Sequence, residues 1–122
     1  MPRVVHFDIN AQDPERAMKF YTEAFGWWFQ KWNGPFEYWL VMTGKEDQPG
    51  IDGGLTKGEV KQGSTVNTLD VASIDNAIKK VEKAGGKIIR PKSAIPGVGW
   101  MAYFADTEGN EFGIMESDMN TK

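Results

Sequence analysis

The chain of 122 residues has no cysteine and only one histidine, His6. The first absence removes disulfides and cysteine-ligated zinc. The second leaves no nucleophilic triad, because no serine is set in a recognisable elbow or signature for the lone imidazole. No apolar run approaches the ~20 residues of a membrane span. The opening MPRVVHF runs into strand-like sequence without the apolar segment of a secretory signal. Neither charge sign dominates: Lys and Arg number 14, Asp and Glu 17, and the formal net charge is −3. Lysines are scattered among acids, which argues against a phosphate-backbone binder. The expectation is a cytoplasmic protein with no nucleic-acid or membrane partner.

An apolar fraction of 40% and an aromatic fraction of 12% are those of a folded protein. The length fits one domain spanning residues 1–122. Within it the chain says nearly the same thing twice. Val4–Gly26 and Ser64–Gly86 share a short strand, an acidic turn and an amphipathic helix ending at glycine. At an offset of 60 residues, Ile9 falls on Leu69, Ala17 on Ala77, Lys19 on Lys79, Ala24 on Ala84 and Gly26 on Gly86. Two copies of this length indicate a duplicated supersecondary unit, since solenoids need three or more repeats.

In the first copy Val5, Phe7 and Ile9 alternate with Val4, His6 and Asp8, so the two sets face opposite ways. Asp13 and Pro14 open a helix, Ala17, Met18, Tyr21, Ala24 and Phe25 form its apolar stripe, and Gly26 stops it. Three strand-like stretches follow, Trp27–Trp32, Phe36–Thr43 and Ile51–Lys57, with a turn signal at Asn33-Gly34-Pro35. The second copy repeats this order. Thr65–Val71 is a strand, and Ser73 caps a helix striped by Ile74, Ala77, Ile78 and Val81. Gly85-Gly86 ends that helix and Lys87–Arg90 begins the next strand. Pro91–Gly99 reads as a loop, with Gly97-Val98-Gly99 flexible and Lys92 beside it as an anion-attracting charge. Trp100–Ala105 and Glu111–Glu116 are joined by the turn Asp106–Asn110, whose Gly-Asn pair can take positive φ. Lys57–Gly63 links the modules. Each copy is therefore βαβββ, with module 1 at about residues 3–57 and module 2 at about 64–117. The expected fold is α+β: a curved mixed sheet around a cup, with helices on its outer face.

Paired βαβββ modules, a first-strand histidine, a helix ending Phe20-Tyr21-Thr-Glu-Ala-Phe25-Gly26 and the closing Phe104-Ala-Asp-Thr-Glu-Gly-Asn110 hairpin resemble the vicinal oxygen chelate superfamily. That group contains glyoxalase I, extradiol dioxygenases and bleomycin- and fosfomycin-resistance proteins, and the resemblance runs from Val4 to Glu116. Its metal-using members offer ligands from the first and last strand of each module. Carried over, these positions are His6, Val66, Gly54 and Gly113. One of the four is a ligand, and a divalent ion takes three or four protein donors. Glu111 shares a strand face with Gly113, whereas Glu116 faces the other side in a regular strand.

His6 reads three ways: as a hydrogen-bonded histidine on a sheet face, as a ligand contact in the cup, or as a metal ligand. Asp8 shares its face and pairs with it, either to orient the imidazole for general-base work or to satisfy both groups. Of the five tryptophans, Trp39 and Trp100 fall in equivalent strands and are the candidates for an apolar cup wall. Gly50–Gly54 lacks the Lys-Ser/Thr of a phosphate loop and reads as tight strand packing. Parity turns Asn67 toward the helix side, where its amide needs partners. The first functional reading is a binder of a small, partly hydrophobic molecule through His6, Asp8, Thr68, Trp39, Trp100 and Glu111, with no metal or other cofactor, assembled as a homodimer. The alternatives are a divalent-metal lyase or dioxygenase of the same superfamily, and a non-catalytic protein-interaction subunit.

Overall fold

Asp13 and Ser73, at equivalent places in the two copies, begin the two helices in the same way. Asp13 accepts a hydrogen bond from the Arg16 amide at 3.1 Å, and Pro14 starts α1 (Pro14–Phe25). Ser73 accepts from the Asn76 amide at 3.2 Å and starts α2 (Ile74–Lys83). Each cap satisfies an amide that the first helical turn leaves without a backbone acceptor. α1 stops at Gly26, in the left-handed conformation with φ 74° that a side chain would resist. After α2 the left-handed residue is Gly85, with φ 98°. Gly86 instead packs against Val81 and the Ala105 carbonyl.

The computed structural model describes residues 2–59 and 64–122. Its strands are β1 (Arg3–Ala11), β2 (Trp28–Lys31), β3 (Tyr38–Met42), β4 (Gly53–Lys57), β5 (Val66–Asp70), β6 (Lys87–Ile95), β7 (Gly99–Ala105) and β8 (Glu111–Ser117). The chain divides into two compact units, one of His6–Thr65 and the other of Val66–Lys122 with the start of β1. In the first, strand order is β2-β3-β4-β1, with β1 parallel to β4 and the remaining pairs antiparallel. In the second it is β6-β7-β8-β5, with β5 parallel to β8. Both units are βαβββ, and the fold is α+β. A parallel pair needs a crossover, which the helix and the intervening strands supply in each unit. The link expected at Lys57–Gly63 lies largely outside the described residues. No described helix is long and apolar enough to cross a membrane.

Each helix covers one face of its sheet. Ile9, Ala11, Val41 and Leu55 are buried with Ala17, Met18 and Tyr21 of α1 packed against them. In the second unit, Val71, Ile74, Ala102 and Ile114 are buried with Ala77 and Ile78 of α2. Trp27 belongs to the first cluster rather than to β2, its ring stacked on Tyr21 at 5.1 Å between centroids. Leu69 fills the place that parity gave to the helix side of β5, while Asn67 on the same face is exposed.

Most of the loop expected at Pro91–Gly99 is strand. β6 runs on to Ile95, pairing with β7 through register shifts between Ile88 and Arg90 and between Arg90 and Ser93. Pro91 is tolerated because β6 is an edge strand and its missing amide falls where the ladder is already irregular. Gly97-Val98-Gly99 is a tight turn tied to the end of the chain: Gly97 donates to the Thr121 carbonyl and Asp118 donates to that of Val98. Lys92 is no free anion attractor. Its ammonium lies 3.2 Å from Asp75 and 4.6 Å from the Trp100 ring centre. In the last hairpin only Gly109 has positive φ, at 88°. Asp106 organises that turn. The Asn110 side chain first, then the Asn110, Glu108 and Gly109 amides, hold its carboxyl below the usual carboxylate range. The turn is therefore most stable with Asp106 ionised and loosens as acidification protonates it.

Glu116 turns to the helix side, as a regular strand requires, and its Oε1 accepts from the Ile74 amide at 2.9 Å. A carboxylate there both caps α2 and meets the positive end of its dipole. Glu116→Ala should therefore cost about 1–2 kcal/mol, read as a lower denaturant midpoint at unchanged m-value. An unaltered midpoint would show that the contact contributes nothing.

Candidate functional site

Strand alternation separates two faces in the first unit. Phe7, Ile9 and Ala11 belong to the α1-side core, so His6 and Asp8 look away from the helix. The pairings of Gly54 with Asp8 and Leu40, and of Thr56 with Tyr38, carry this alternation across β4 and β3. His6, Asp8, Tyr38 and Gly54 therefore share the helix-free face.

On that face the Tyr38 hydroxyl sits within the histidine–carboxylate pair. Tyr38 Oη lies 2.6 Å from Asp8 Oδ1 and 2.8 Å from His6 Nε2, while His6 Nε2 and Asp8 Oδ1 are 3.3 Å apart. A carboxylate can only accept, so the single phenolic proton goes to Asp8. Tyr38 Oη then accepts from His6, which requires a proton on Nε2; in the neutral ring this leaves Nδ1 bare. Hydrogen bonds to charged acceptors contribute about 1.5–3 kcal/mol. The His6 and Asp8 side chains are 32% and 20% exposed, partly sheltered yet reachable from solvent.

Gly54 makes this possible. A Cβ there would overlap the hydroxyl end of Tyr38, so only a residue without a side chain lets the tyrosine cross β4. Gly53 admits the Phe7 ring and carbonyl in the same way. The Gly50–Gly54 run thus ends in tight strand packing. Beyond the hydroxyl, the Tyr38 ring joins an aromatic group with Trp32 and Phe36. Centroids lie 4.9 Å apart for Trp32–Phe36, 5.7 Å for Trp32–Tyr38 and 6.0 Å for Phe36–Tyr38. Phe36 is 52% exposed.

The second unit repeats the frame with different chemistry. Thr68 pairs with Gly113 as Asp8 does with Gly54, and Val66 stands where His6 stands. A Cβ at Gly113 would meet the Met101 methyl at 2.5 Å and Thr68 Oγ1 at 2.9 Å, so Met101 crosses this glycine as Tyr38 crosses the other. Thr68 is 2% exposed, and its hydroxyl has no hydrogen-bond partner among the described residues. Glu111 is exposed at the start of β8.

Trp39 and Trp100, expected on the cup wall, lie on the other face. Trp39 packs into the α1-side core and Trp100 into the α2-side core. Lys31 covers the Trp39 ring at 4.5 Å as Lys92 covers that of Trp100. Of the residues expected at the site, the structure brings together His6 and Asp8. It adds Tyr38, which lies 30 residues along the chain from Asp8. The signal that marks Tyr38 is the bare Gly54 beside it, together with even spacing along β3.

The metal-ligand set implied by the resemblance does not fit these residues. His6 and Asp8 are two donors already engaged with Tyr38, and Gly54 and Gly113 offer no side-chain donor, their Cβ space being taken by Tyr38 and by the Met101 methyl. Among the described residues no three His, Cys, Asp or Glu side chains gather as a metal cluster.

A family model described as Glyoxalase/Bleomycin resistance protein/Dioxygenase superfamily matches residues 3–114. A glyoxylase-like domain-containing protein of Didymella fabae is 34% identical over 112 residues, covering 88% of each chain. Among solved structures, a member of that superfamily from Vibrio splendidus 12B01 has a TM-score of 0.68 at 17% identity, covering 96% of this chain and 100% of that one. The methylmalonyl-CoA epimerase of Mycobacterium tuberculosis also gives 0.68, at 10% identity, covering 94% of this chain and 87% of that one. At such identities the two structures attest the fold alone.

Two measurements test the site geometry. At a pH that keeps the single histidine neutral, nitrogen-15 NMR should place the ring proton on Nε2; a dominant Nδ1–H form would mean that Tyr38 donates to His6 and not to Asp8. Thr68→Val removes a buried hydroxyl that has no partner, and should raise stability by about 1 kcal/mol. A loss of stability in thermal unfolding would reveal a partner for that hydroxyl.

Proposed function

The chain belongs to the Glyoxalase/Bleomycin resistance protein/Dioxygenase superfamily, and on that premise we propose that it binds a small, partly hydrophobic molecule without a metal ion, on the face that carries His6, Asp8 and Tyr38. One observation carries the reading: Tyr38 lies across the bare Gly54 with its hydroxyl between His6 and Asp8. The arrangement sets fixed polar atoms beside aromatic surface, the usual composition of a small-molecule site. It also places an aromatic ring at a position where metal-using relatives offer a ligand. The superfamily frame supports several chemistries, so the argument rests on the residues of this face and not on the fold.

Titration of the protein with small molecules bearing phenyl or alkyl groups, followed by tryptophan fluorescence, tests the reading with Trp32 as the nearby reporter. At least one compound should quench saturably in the presence of EDTA, and Tyr38→Ala should weaken it by about tenfold. Binding that needs an added divalent ion, or that Tyr38→Ala leaves unchanged, would overturn the proposal.

A further inference from the structure

The helix-free face of the first unit holds one charged strand residue, and it is negative. The strand positions on this face are 6, 8 and 10 of β1, 28 and 30 of β2, 38, 40 and 42 of β3, and 54 and 56 of β4. Asp8 is the one Asp, Glu, Lys or Arg among them. The lysines of these strands, Lys31 and Lys57, stand at the alternate positions. Lys31 is held on the opposite face by the Trp39 ring at 4.5 Å and by Glu37 at 4.0 Å. With the His6 ring neutral, no strand cation on the face itself neutralises Asp8.

The proton inventory points the same way. Tyr38 gives its proton to Asp8 Oδ1, and His6 Nε2 gives its own to Tyr38, so the cluster consumes its donors internally. Asp8 Oδ2 and His6 Nδ1 remain, and neither has a partner among the described residues. Both are acceptors in the neutral-ring tautomer. An anion arriving at these two atoms would meet a carboxylate oxygen and an imidazole lone pair, neither of which can donate to it. A neutral hydroxyl would fill one acceptor and leave the charge unmatched.

Tyr38 connects this polar end to an apolar one. Its hydroxyl touches Asp8 and His6, and its ring lies within 6.0 Å, centroid to centroid, of Trp32 and Phe36. Aromatic faces attract cations as well as apolar groups. We infer that this face takes an organic ammonium on an apolar body: its N–H groups bond Asp8 Oδ2 and His6 Nδ1, and its body lies against Trp32, Phe36 and Tyr38. This specifies the ligand class of the site proposed above and rests on that reading.

Three probes with a shared phenyl group separate the possibilities: 2-phenylethylammonium, 2-phenylethanol and phenylacetate. By calorimetry or tryptophan quenching the ammonium should bind at least about tenfold more tightly than the alcohol, with phenylacetate weakest. Asp8→Asn keeps an acceptor for the Tyr38 hydroxyl and removes the charge. It should bring the ammonium's affinity to within about twofold of the alcohol's for the same variant. An independent readout in the unmutated protein is the nitrogen-15 shift of His6 Nδ1, which should move on saturation with the ammonium. If the alcohol or phenylacetate binds as well as the ammonium, or if Nδ1 does not respond, the charge preference is wrong and the small-molecule reading stands. If none of the three saturates, both fail.

Discussion

The site depends on a side chain that is not there. Because Gly54 carries no Cβ, the Tyr38 ring can cross β4 and deliver its hydroxyl to His6 and Asp8. The steric condition is strict, since any larger residue would occupy the volume of the tyrosine. Once the ring is there, the rest follows from hydrogen-bond arithmetic. One phenolic proton, one acceptor-only carboxylate and one imidazole admit a single arrangement with the ring neutral, and it leaves lone pairs outward. The neighbouring Trp32 and Phe36 rings extend the same tyrosine into an apolar surface.

The second unit shows which parts of this design belong to the frame and which to the site. Capped helices, a parallel first and last strand, and a glycine crossed by a long side chain all recur. So does a lysine over a tryptophan on the helix side. What differs is the face away from the helix. Val66, Thr68 and Met101 stand where His6, Asp8 and Tyr38 stand, and the polar cluster is replaced by a nearly dry one with a single unmatched hydroxyl. The two units share what closes the sheet and covers it, because those features hold each unit together. They differ on the face away from the helix, which is partly open at His6 and Asp8 and buried at Val66, Thr68 and Met101.

Superfamily membership fits this division of labour. Proteins sharing the frame can differ in chemistry because strand geometry sets where side chains project and not what they are. In this chain Gly54 and Gly113 stand at equivalent places in the two units, and both are crossed by a long side chain. They admit Tyr38 in one unit and Met101 in the other, so the same steric device serves two different side chains.

Much of this was legible in the residues. The repeat and its caps gave βαβββ twice, and period-two alternation put His6 with Asp8 and sent Glu116 to the other face, where it meets the Ile74 amide. Proline and glycine punctuation misled at Pro91–Gly99, because an edge strand with irregular register tolerates what an inner strand would not. Trp39 and Trp100, expected on the cup wall, instead pack against the two helix-side cores. By itself the sequence determined the local elements, their capping and the sharing of one strand face by His6 and Asp8, since these depend on neighbours a few residues apart. Only the tertiary structure decided that Tyr38 completes the pair across the empty volume at Gly54. That contact joins residues 30 positions apart, through strand register and a steric vacancy that no local pattern records.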